Sequence, residues 1–220
     1  MIPGVKLVIL GKQGAGKGTQ AVRLCRHYVI PHISTGDIFR AAATAGTRIG
    51  LEAKKYMDAG ELVPDDVVLG VIHERLEAPD AQERGFLLDG FPRNTAQAVD
   101  LEDMLDPRCL DAVIDLEIDT EVVLKRLAGR TVCQVCSTIY GAEQPPATLG
   151  VCDSCGGAVV QRADDTEGAI RRRLQLYEEQ TEPLIEWYGD RGLLIPIDAV
   201  GAPEGVTDRI VTALDAHRRR

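Results

Sequence analysis

The sequence predicts an α/β fold: an open parallel sheet flanked by helices and carrying two insertions. A first apolar strand runs into a glycine-rich loop and then into a helix, all within residues 5–27. Apolar and helical segments alternate along the chain. The runs at 5–10, 86–88 and 193–197 are almost continuously apolar, as in strands buried on both faces of a parallel sheet. The 220 residues suffice for one large domain with insertions.

Each element follows from its local pattern. Thr120 and Thr166 are typical helix N-cap residues, Pro64 stands just before a predicted helix, and a helix break is expected near Gly46. Strands are predicted at residues 5–10, 30–33, 85–88, 112–117 and 193–197. Helices are predicted at residues 17–27, 37–58, 65–76, 95–105, 120–127, 166–188 and 204–216. This alternation favours a sheet with helices on both faces.

Two segments interrupt the alternation. The first runs from residue 35 to about 75 and is helical, and the second, 130–165, is rich in Cys, Gly and Pro. Ligands of open α/β sheets bind beyond the carboxyl ends of the strands. Insertions that follow strands would therefore cover the binding edge as lids.

The glycine-rich loop at residues 11–19 reads GKQGAGKGT. Its glycines allow consecutive backbone N–H groups to turn inward, and the helix that follows adds the positive end of its dipole. Lys17 supplies a charge for the outer phosphates. The usual motif has Ser or Thr directly after the lysine, whereas here Gly18 precedes Thr19. The loop and its strand–helix context predict nucleotide binding through phosphates.

Two CxxC pairs lie in the second insertion, Cys133 with Cys136 and Cys152 with Cys155. The stretch between them, 137–151, has the length found in four-cysteine zinc ribbons. A redox pair or disulfides are the alternatives, but a redox site needs no second CxxC and disulfides are rare in the cytosol. The spacing favours a structural zinc ion with four protein ligands.

The formal net charge of −9 disfavours a protein that coats DNA or RNA. The chain enters a strand soon after Met1, which argues against a signal peptide, and no apolar stretch approaches the ~20 residues that span a bilayer. A cytoplasmic protein without membrane or nucleic-acid partners is expected. Because an acidic protein that handles phosphates must concentrate its positive charge locally, the arginines matter most.

Several motifs follow one another in order: GAGKGT at 14–19, STGD at 34–37 with Arg40 after it, GELVPD at 60–65, FLLDGFPR at 86–93, GR at 129–130, the two CxxC pairs, Arg162 with the acidic pair 164–165, and RRRL at 171–174. Taken together and in this order, these motifs resemble those of adenylate kinase of the long-lid type with a four-cysteine zinc site. The resemblance extends from residue 6 to about residue 210. The resemblance implies a P-loop core (1–34, 64–129 and 166–220), a nucleoside monophosphate (NMP) binding insertion (35–63) and a zinc-bearing lid (130–165).

The resemblance implies that one side of a cleft binds AMP. Arg40 and Arg93 would clamp the phosphate, a task for which an arginine fork is better suited than lysine. Gln97 and the backbone near residues 62–63 would hold the adenine. The implied AMP-binding residues are Thr35, Arg40, Leu62, Val63, Gly90, Phe91, Pro92, Arg93, Gln97, Arg162 and Arg173.

The other side is implied to bind Mg·ATP. Asp89 closes a buried strand opposite the phosphate loop, where such enzymes hold Mg²⁺ through its waters; a cap or loop aspartate is the alternative. The family stacks the ATP base near residues 139–140. The implied ATP-binding residues are Gly14, Ala15, Gly16, Lys17, Gly18, Thr19, Arg126, Arg130, Ile139, Tyr140 and Ala199.

Phosphoryl transfer requires the reacting groups to be aligned and the charge on the equatorial oxygens of the moving phosphoryl to be neutralised. It does not require an obligatory base. By resemblance, the catalytic residues are Lys17, Arg93, Arg130, Arg162 and Arg173. Asp164 and Asp165 are expected to pair with arginines at a hinge. Arg171 and Arg172 have no implied role and are interpreted as the solvated face of a helix.

The chain departs from the family pattern at three places. Gln13 stands where proline is common, which could change the stiffness of the loop. Residues 141–146 lack the aromatic and His-bearing stretch of many zinc lids, and 198–201 replace a segment that often contains glycine and lysine near the adenine. The cradle of N–H groups should survive the first departure, and the other two concern base contacts and fine specificity.

The implied activity is that of a monomeric enzyme which transfers the terminal phosphoryl of Mg·ATP to AMP and yields two ADP. Another NMP kinase or a GTP-preferring donor site is the alternative within the class, although the long lid favours the adenylate type. From a different class, a zinc-ribbon P-loop regulator would bind nucleotide or nucleic acid as a switch. Such a regulator would not explain phosphate clamps on both sides of one cleft.

Overall fold

The computed structural model describes residues 4–142, 144–162 and 164–219. Met1–Pro3, on which the expected absence of a signal peptide partly depends, lie outside the described residues, as do Glu143, Ala163 and Arg220. Within the described ranges, no helix is both long and apolar enough to cross a bilayer.

Strands and helices alternate through most of the chain. The strands are β1 Val5–Gly11, β2 His32–Ser34, β3 Gly85–Asp89, β4 Ala112–Glu117, β5 Thr131–Cys133, β6 Ile139–Tyr140, β7 Val159–Gln161 and β8 Leu194–Asp198. The helices are α1 Lys17–Tyr28, α2 Thr35–Thr44, α3 Arg48–Ala59, α4 Asp65–Glu77, α5 Pro79–Arg84, α6 Thr95–Leu105, α7 Thr120–Ala128, α8 Glu167–Leu176, α9 Pro183–Asp190 and α10 Pro203–His217.

A five-stranded parallel sheet forms the centre of the fold, in the order β2-β3-β1-β4-β8. β1 pairs with β3 on one side and with β4 on the other, and all pairings are parallel. The predicted α/β class with an open parallel sheet is therefore confirmed. The carboxyl ends of β1 and β3 meet at one edge, which places the phosphate loop beside Asp89.

β1 carries the core on both of its faces because successive side chains of a strand point in opposite directions. Val8 and Leu10 pack in one hydrophobic cluster, with buried residues of α4, α6 and α9. Leu7 and Ile9 pack in a second cluster, with α1 and α10. Full burial of one such side chain contributes roughly 1.5–3 kcal/mol, so the sheet is held between two helical layers.

The predicted break near Gly46 is confirmed. α2 ends at Thr44, Gly46 has a φ of +69°, and Thr47 caps α3 by accepting a hydrogen bond from the backbone N–H of Gly50 at 3.1 Å. A Cβ at Gly50 would lie 2.1 Å from the carbonyl carbon of Ala42, so only glycine permits this contact between α2 and α3. The two helices form a compact hairpin between β2 and α4.

The single long helix predicted over residues 166–188 is wrong. α8 ends at Leu176, a π-helical turn covers Tyr177–Thr181, and α9 begins at Pro183, which has no N–H for a continuous helical ladder. Thr181 in the π turn donates its hydroxyl to the carbonyl of Arg93 at 2.8 Å. The short helix α5 was not predicted, because six residues are too few to show a helical period.

A small antiparallel sheet, β6-β5-β7, lies within residues 131–161. Its interior is a small cluster of Cys133, Tyr140 and Cys152, with the half-buried Val159 packed against it. The described part of this segment contains no helix, in accord with its lack of helical periodicity. A core this small buries too little apolar surface to stabilise the segment by itself.

Candidate active site

A cleft of about 1730 Å³ lies at the carboxyl end of the parallel sheet. It is lined by the phosphate loop, by residues of α2 and α3, by the start of α6, by the small sheet and by α8. All the residues that the resemblance implied for nucleotides and magnesium line this cleft, except Phe91. Phe91 is buried in the core between the sheet and α6.

The phosphate loop turns sharply between β1 and α1. Gly14 and Gly16 have φ values of +86° and +102°, in the left-handed region that favours glycine. Lys17, the first residue of α1, folds back over the loop and donates to the carbonyls of Gly11 at 2.6 Å and Lys12 at 3.0 Å. The loop thus has the open cradle and the central ammonium that a polyphosphate requires.

Lys17 is half-buried at the base of the loop, and its loss of solvation lowers the pKa of its ammonium to about 8. The carboxylate of Asp89 acts in the opposite direction, while Arg93 and Arg130 lower the pKa further. A phosphate group in the loop would compensate this positive charge. The site is therefore prepared electrostatically for an anion.

Asp89 ends β3 and faces the phosphate loop. Burial would raise the pKa of its carboxyl, but His32 and the charges of Lys17 and Arg93 together hold that pKa below its usual value. His32 Nε2 lies 3.4 Å from Asp89 Oδ2. The carboxylate is thus an ionised oxygen donor at the edge of the cradle, the kind of ligand that Mg²⁺ and its waters prefer.

Gly90 joins two residues on the opposite side of the cleft. Its carbonyl accepts hydrogen bonds from Thr35 Oγ1 at 3.0 Å and from Arg93 Nε at 2.8 Å. A Cβ at this position would lie 2.7 Å from Thr35 Oγ1, and the φ of Gly90 is +83°. The backbone here holds the hydroxyl and the guanidinium close together, as a clamp on an oxyanion requires.

Two aspartates hold the arginines around the cleft. Asp165 accepts from Arg130 Nε at 2.8 Å, whereas Asp164 accepts from Arg173 Nη2 at 2.9 Å and lies 3.3 Å from Arg162 Nε. The predicted pairing of both aspartates with arginines is confirmed. Despite its burial, the pKa of Asp164 is lowered by the surrounding guanidinium groups.

Arg40 extends this arrangement toward α2. Its Nη1 lies 3.9 Å from Asp164 Oδ2, and its Nη2 pairs with Asp37. Arg173 also donates to the carbonyl of Met57 at 2.6 Å. The positive charges from α2 and α8 therefore converge on one region of the cleft, which can bind several phosphate oxygens.

Gln97 lies at the start of α6, four residues after Arg93, and is only 2% exposed. Its Oε1 accepts from the backbone N–H of Arg93 at 2.8 Å, and its Nε2 donates to Asp65 Oδ1 at 2.6 Å. Leu62 and Val63 line the same end of the cleft. Asp65 closes the GELVPD motif at residues 60–65, but the resemblance assigned no role to it.

The residues implied to contact ATP surround the phosphate loop. Arg126 Nη2 donates to the carbonyl of Ala199 at 3.2 Å, and a Cβ on Gly18 would lie 3.0 Å from Ile139 Cδ1. Ile139 is exposed and lies next to the start of α1. Tyr140 differs: it is buried in the small sheet, and its hydroxyl donates to Cys152 Sγ at 3.4 Å.

The four cysteines of the CxxC pairs come together at one point. Their Sγ atoms all lie within 4.8 Å of one another; they belong to Cys133, Cys136, Cys152 and Cys155. Four sulfur donors so grouped fit a soft, tetrahedrally coordinated cation. The set thus can hold one metal ion, with every ligand supplied by the protein.

Arg172 is not part of a solvated helix face, as the sequence predicted, because it forms an ion pair with Glu61. Arg171 is exposed, as interpreted, but Arg172 pairs with Glu61 at the end of the α2–α3 hairpin. His32 was also missed, since a lone histidine in a strand carries no signal of its own.

Gln13, one of the departures from the family pattern, donates from Nε2 to Asp165 Oδ1 at 3.1 Å. It therefore connects the phosphate loop to the aspartates that hold the arginines.

Comparison with known proteins agrees with this geometry. The adenylate kinase family model matches residues 9–193. The chain is 50% identical over 214 residues to an adenylate kinase of Streptomyces avermitilis, covering 96% of this chain and 97% of that protein. It is 49% identical over 214 residues to one of Thermodesulfovibrio yellowstonii, covering 96% and 99%. It is 50% identical over 197 residues to one of Bacillus subtilis, covering 88% and 90%. The chain therefore belongs to the adenylate kinase family of phosphotransferases.

Proposed function

We propose that this protein transfers the terminal phosphoryl of Mg·ATP to AMP, reversibly, and forms two ADP. One observation carries the proposal: a phosphate loop with its Lys17 and a second oxyanion clamp, Thr35 with Arg93, face the same cleft. Two phosphate sites in one cleft suit a donor and an acceptor whose phosphates meet. A regulator that binds one nucleotide needs only the first.

The donor side is formed by the phosphate loop and the arginines beside it. Gly14 to Thr19 would cradle the β- and γ-phosphates, and Arg126 would reach them from α7. Ile139 and the backbone at Ala199 would bound the base. Tyr140 is assigned mainly to the small sheet, because its hydroxyl is already bonded to Cys152.

The acceptor side lies between α2 and α6. Arg40, Arg93 and the Thr35 hydroxyl would bind the AMP phosphate, while Gln97 and the backbone at residues 62–63 would receive the base. Gly90 and Pro92 would shape this wall. Phe91 would act only through packing, since it is buried away from the cleft.

Transfer requires the charge on the moving phosphoryl to be neutralised. Arg130, Arg162 and Arg173 are held by Asp164 and Asp165, so no large reorganisation is needed before they meet phosphate oxygens. Lys17 approaches from the loop on the opposite side. Bound Mg²⁺ would supply further neutralisation, with Asp89 holding its waters. Water exclusion by residues 130–165 would prevent hydrolysis.

We propose Zn²⁺ as the ion held by the four cysteines. Tetrahedral thiolate donors suit this metal, and a closed ligand set leaves no position for chemistry, so its role is structural. It would compensate for the small apolar core of this segment. On this basis residues 130–165 form the lid, 35–63 the NMP-binding unit, and the remainder the core.

The protein is further proposed to act as a monomer, because one chain supplies residues to both sides of the cleft. Its cytoplasmic location and the absence of nucleic-acid and membrane partners stay predictions from the sequence. Varying the acceptor monophosphate tests how strict the adenine preference is on the acceptor side.

A coupled assay tests the activity. Purified protein with Mg·ATP is given AMP, GMP, CMP or UMP in turn, and ADP formation is measured. We expect phosphorylation of AMP far above the others, and its loss on chelation of magnesium. Preference for another monophosphate would mean that the protein is an NMP kinase with a different acceptor. No turnover by folded, zinc-loaded protein with any of the four would overturn the kinase proposal.

A further inference from the structure

Asp65, the first residue of α4, receives two side-chain hydrogen bonds from the first turn of α6. Its Oδ1 accepts from Gln97 Nε2 at 2.6 Å, and its Oδ2 accepts from Asn94 Nδ2 at 3.1 Å. Asn94 also caps α6, since its Oδ1 accepts from the backbone N–H of Gln97 at 2.8 Å. Both oxygens of Asp65 are thus directed at α6.

These contacts determine which way the Gln97 amide faces. A carboxylate can only accept a hydrogen bond, so the amide nitrogen must lie toward Asp65. The backbone N–H of Arg93 can only donate, so the amide oxygen must lie toward Arg93. A rotation of 180° would place oxygen against carboxylate and N–H against N–H.

With one bond made at each end, the amide still has one N–H and one oxygen lone pair available, and Gln97 lines the cleft. An adenine edge presents the complementary pair, a ring nitrogen that accepts beside an exocyclic amine that donates. A 6-oxopurine presents a carbonyl oxygen in place of the amine and, in hypoxanthine and guanine, a protonated N1. Its pattern would match only the rotated amide.

We infer that Asp65 is a specificity-determining positioning residue: it holds the Gln97 amide in the orientation that accepts adenine and rejects 6-oxopurines. This inference rests on the proposed function, because it assumes that the base of the acceptor lies against Gln97. Asp65 touches no substrate and acts only through Gln97. Asp65 is half-buried, and a hydrogen bond to a carboxylate is stronger than one between neutral groups, so Asp65 constrains the amide more than the backbone N–H of Arg93 does.

The position of Asp65 favours this task. As the first residue of α4 it lies at the positive end of the helix dipole, which stabilises a negative charge there. Gln97 is almost fully buried, so water competes little for its remaining hydrogen bonds. An amide fixed in such a place can discriminate between bases that differ only in donors and acceptors.

The test compares AMP with inosine monophosphate (IMP), which differs from AMP only along the edge in question. The ratio of kcat/KM for AMP to that for IMP is measured for the wild type and for Asp65→Asn. Asparagine offers one carbonyl oxygen and one NH2 group, so it can pair with either orientation of Gln97. We expect the ratio to fall by roughly tenfold, within the range of one bidentate base contact, while KM for ATP stays unchanged.

Asn94→Ser is the matched control. Serine keeps the N-cap of α6 but removes the hydrogen bond to Asp65, so the helix contact is weakened while Gln97 remains held. The ratio should stay at the wild-type value. If Asp65 only ties α4 to α6, both variants should lower the melting temperature and neither should change the ratio, which would overturn the inference.

Two further outcomes are distinguishable. A wild type that forms no ADP from AMP would overturn the proposed function, whatever Asp65 does. A wild type active on AMP, together with a folded Asp65→Asn enzyme of unchanged AMP/IMP ratio, would overturn only the role of Asp65. Should Asp65→Asn fail to fold, Asp65→Ser, which suits the first turn of a helix, carries the same expectation and the same criterion.

Discussion

Arg172 and Glu61 join α8 to the end of the α2–α3 hairpin through two hydrogen bonds. Arg172 Nε donates to Glu61 Oε1 at 2.7 Å, and Nη2 donates to Oε2 at 3.2 Å. Next to them, a Cβ on Gly60 would lie 2.6 Å from the carbonyl oxygen of Ala169. The point at which the hairpin returns to the core is therefore in direct contact with the helix that follows the small sheet.

Arg172→Ala should weaken AMP binding by a few-fold at most, because the pair orients the hairpin but is partly exposed and touches no substrate. Arg171→Ala is the control, since Arg171 pairs with Glu167 on its own helix and is 75% exposed. AMP affinity is measured by calorimetry for both variants and for Glu61→Gln. Equal affinities in all three would show that the contact has no role in binding.

Lys17→Ala and Arg130→Ala should each lower kcat by ~10²-fold or more, the scale seen when one preorganised donor is lost from a charged transition state. Both cations line the cleft. Arg26→Ala serves as the control, because Arg26 is exposed on the same helix as Lys17. Steady-state kinetics at saturating nucleotide measures the effect. Near-normal turnover in both variants would contradict the roles assigned to them.

The lowered pKa of Lys17 predicts a pH dependence of stability. Its pKa is lowered by burial from 10.5 to about 8, so between these values the unfolded chain holds a proton that the folded chain has released. The free energy of unfolding of the wild type therefore rises with pH in this window relative to that of a Lys17→Met variant. Below pH 8 the lysine destabilises the folded state most.

Urea denaturation of nucleotide-free wild type and Lys17→Met at pH 7 and pH 10 measures this dependence. The difference in the free energy of unfolding between the two proteins should shift in favour of the wild type at the higher pH. An unchanged or reversed difference would mean that Lys17 keeps its proton in the folded protein.

Tyr140→Phe should weaken metal binding by the four cysteines. The Tyr140 hydroxyl donates to Cys152 Sγ and accepts from the backbone N–H of Asp153 at 2.8 Å, so it orients one ligand of the site. Loss of such an outer contact typically costs 10–100-fold in metal affinity. Competition with a chromophoric zinc chelator measures the affinity directly, independently of catalysis.

Thr138→Val is a suitable comparison, because Thr138 Oγ1 contacts the Sγ of the exposed Cys136 at 3.0 Å and not that of the buried Cys152. Its effect should be the smaller of the two. Elemental analysis of protein produced with zinc should give one ion per chain. A zinc content near zero, with a thermal melt that a chelator does not alter, would contradict the metal site itself.

Much of the candidate site could be predicted from sequence because its signals are local. The phosphate loop depends on glycines and a lysine within nine consecutive residues between a strand and a helix. Each CxxC pair brings two thiols to a single turn, and the four thiols lie together in the structure as their spacing predicts. Buried parallel strands are recognisable from unbroken apolar runs, because both of their faces lie in the core.

Partner choice among distant polar side chains was decided only by the tertiary structure. Asp65 and Gln97 are 32 positions apart, and Glu61 and Arg172 are 111 apart. Neither pair has a local pattern, since hydrogen bonds between separate elements depend on how those elements pack. The same holds for the π turn at Tyr177–Thr181, whose Thr181 bonds to Arg93 in another part of the chain. Chemistry that lies within one turn of backbone is encoded locally, whereas the orientation of an amide or a guanidinium depends on groups that only packing brings within reach.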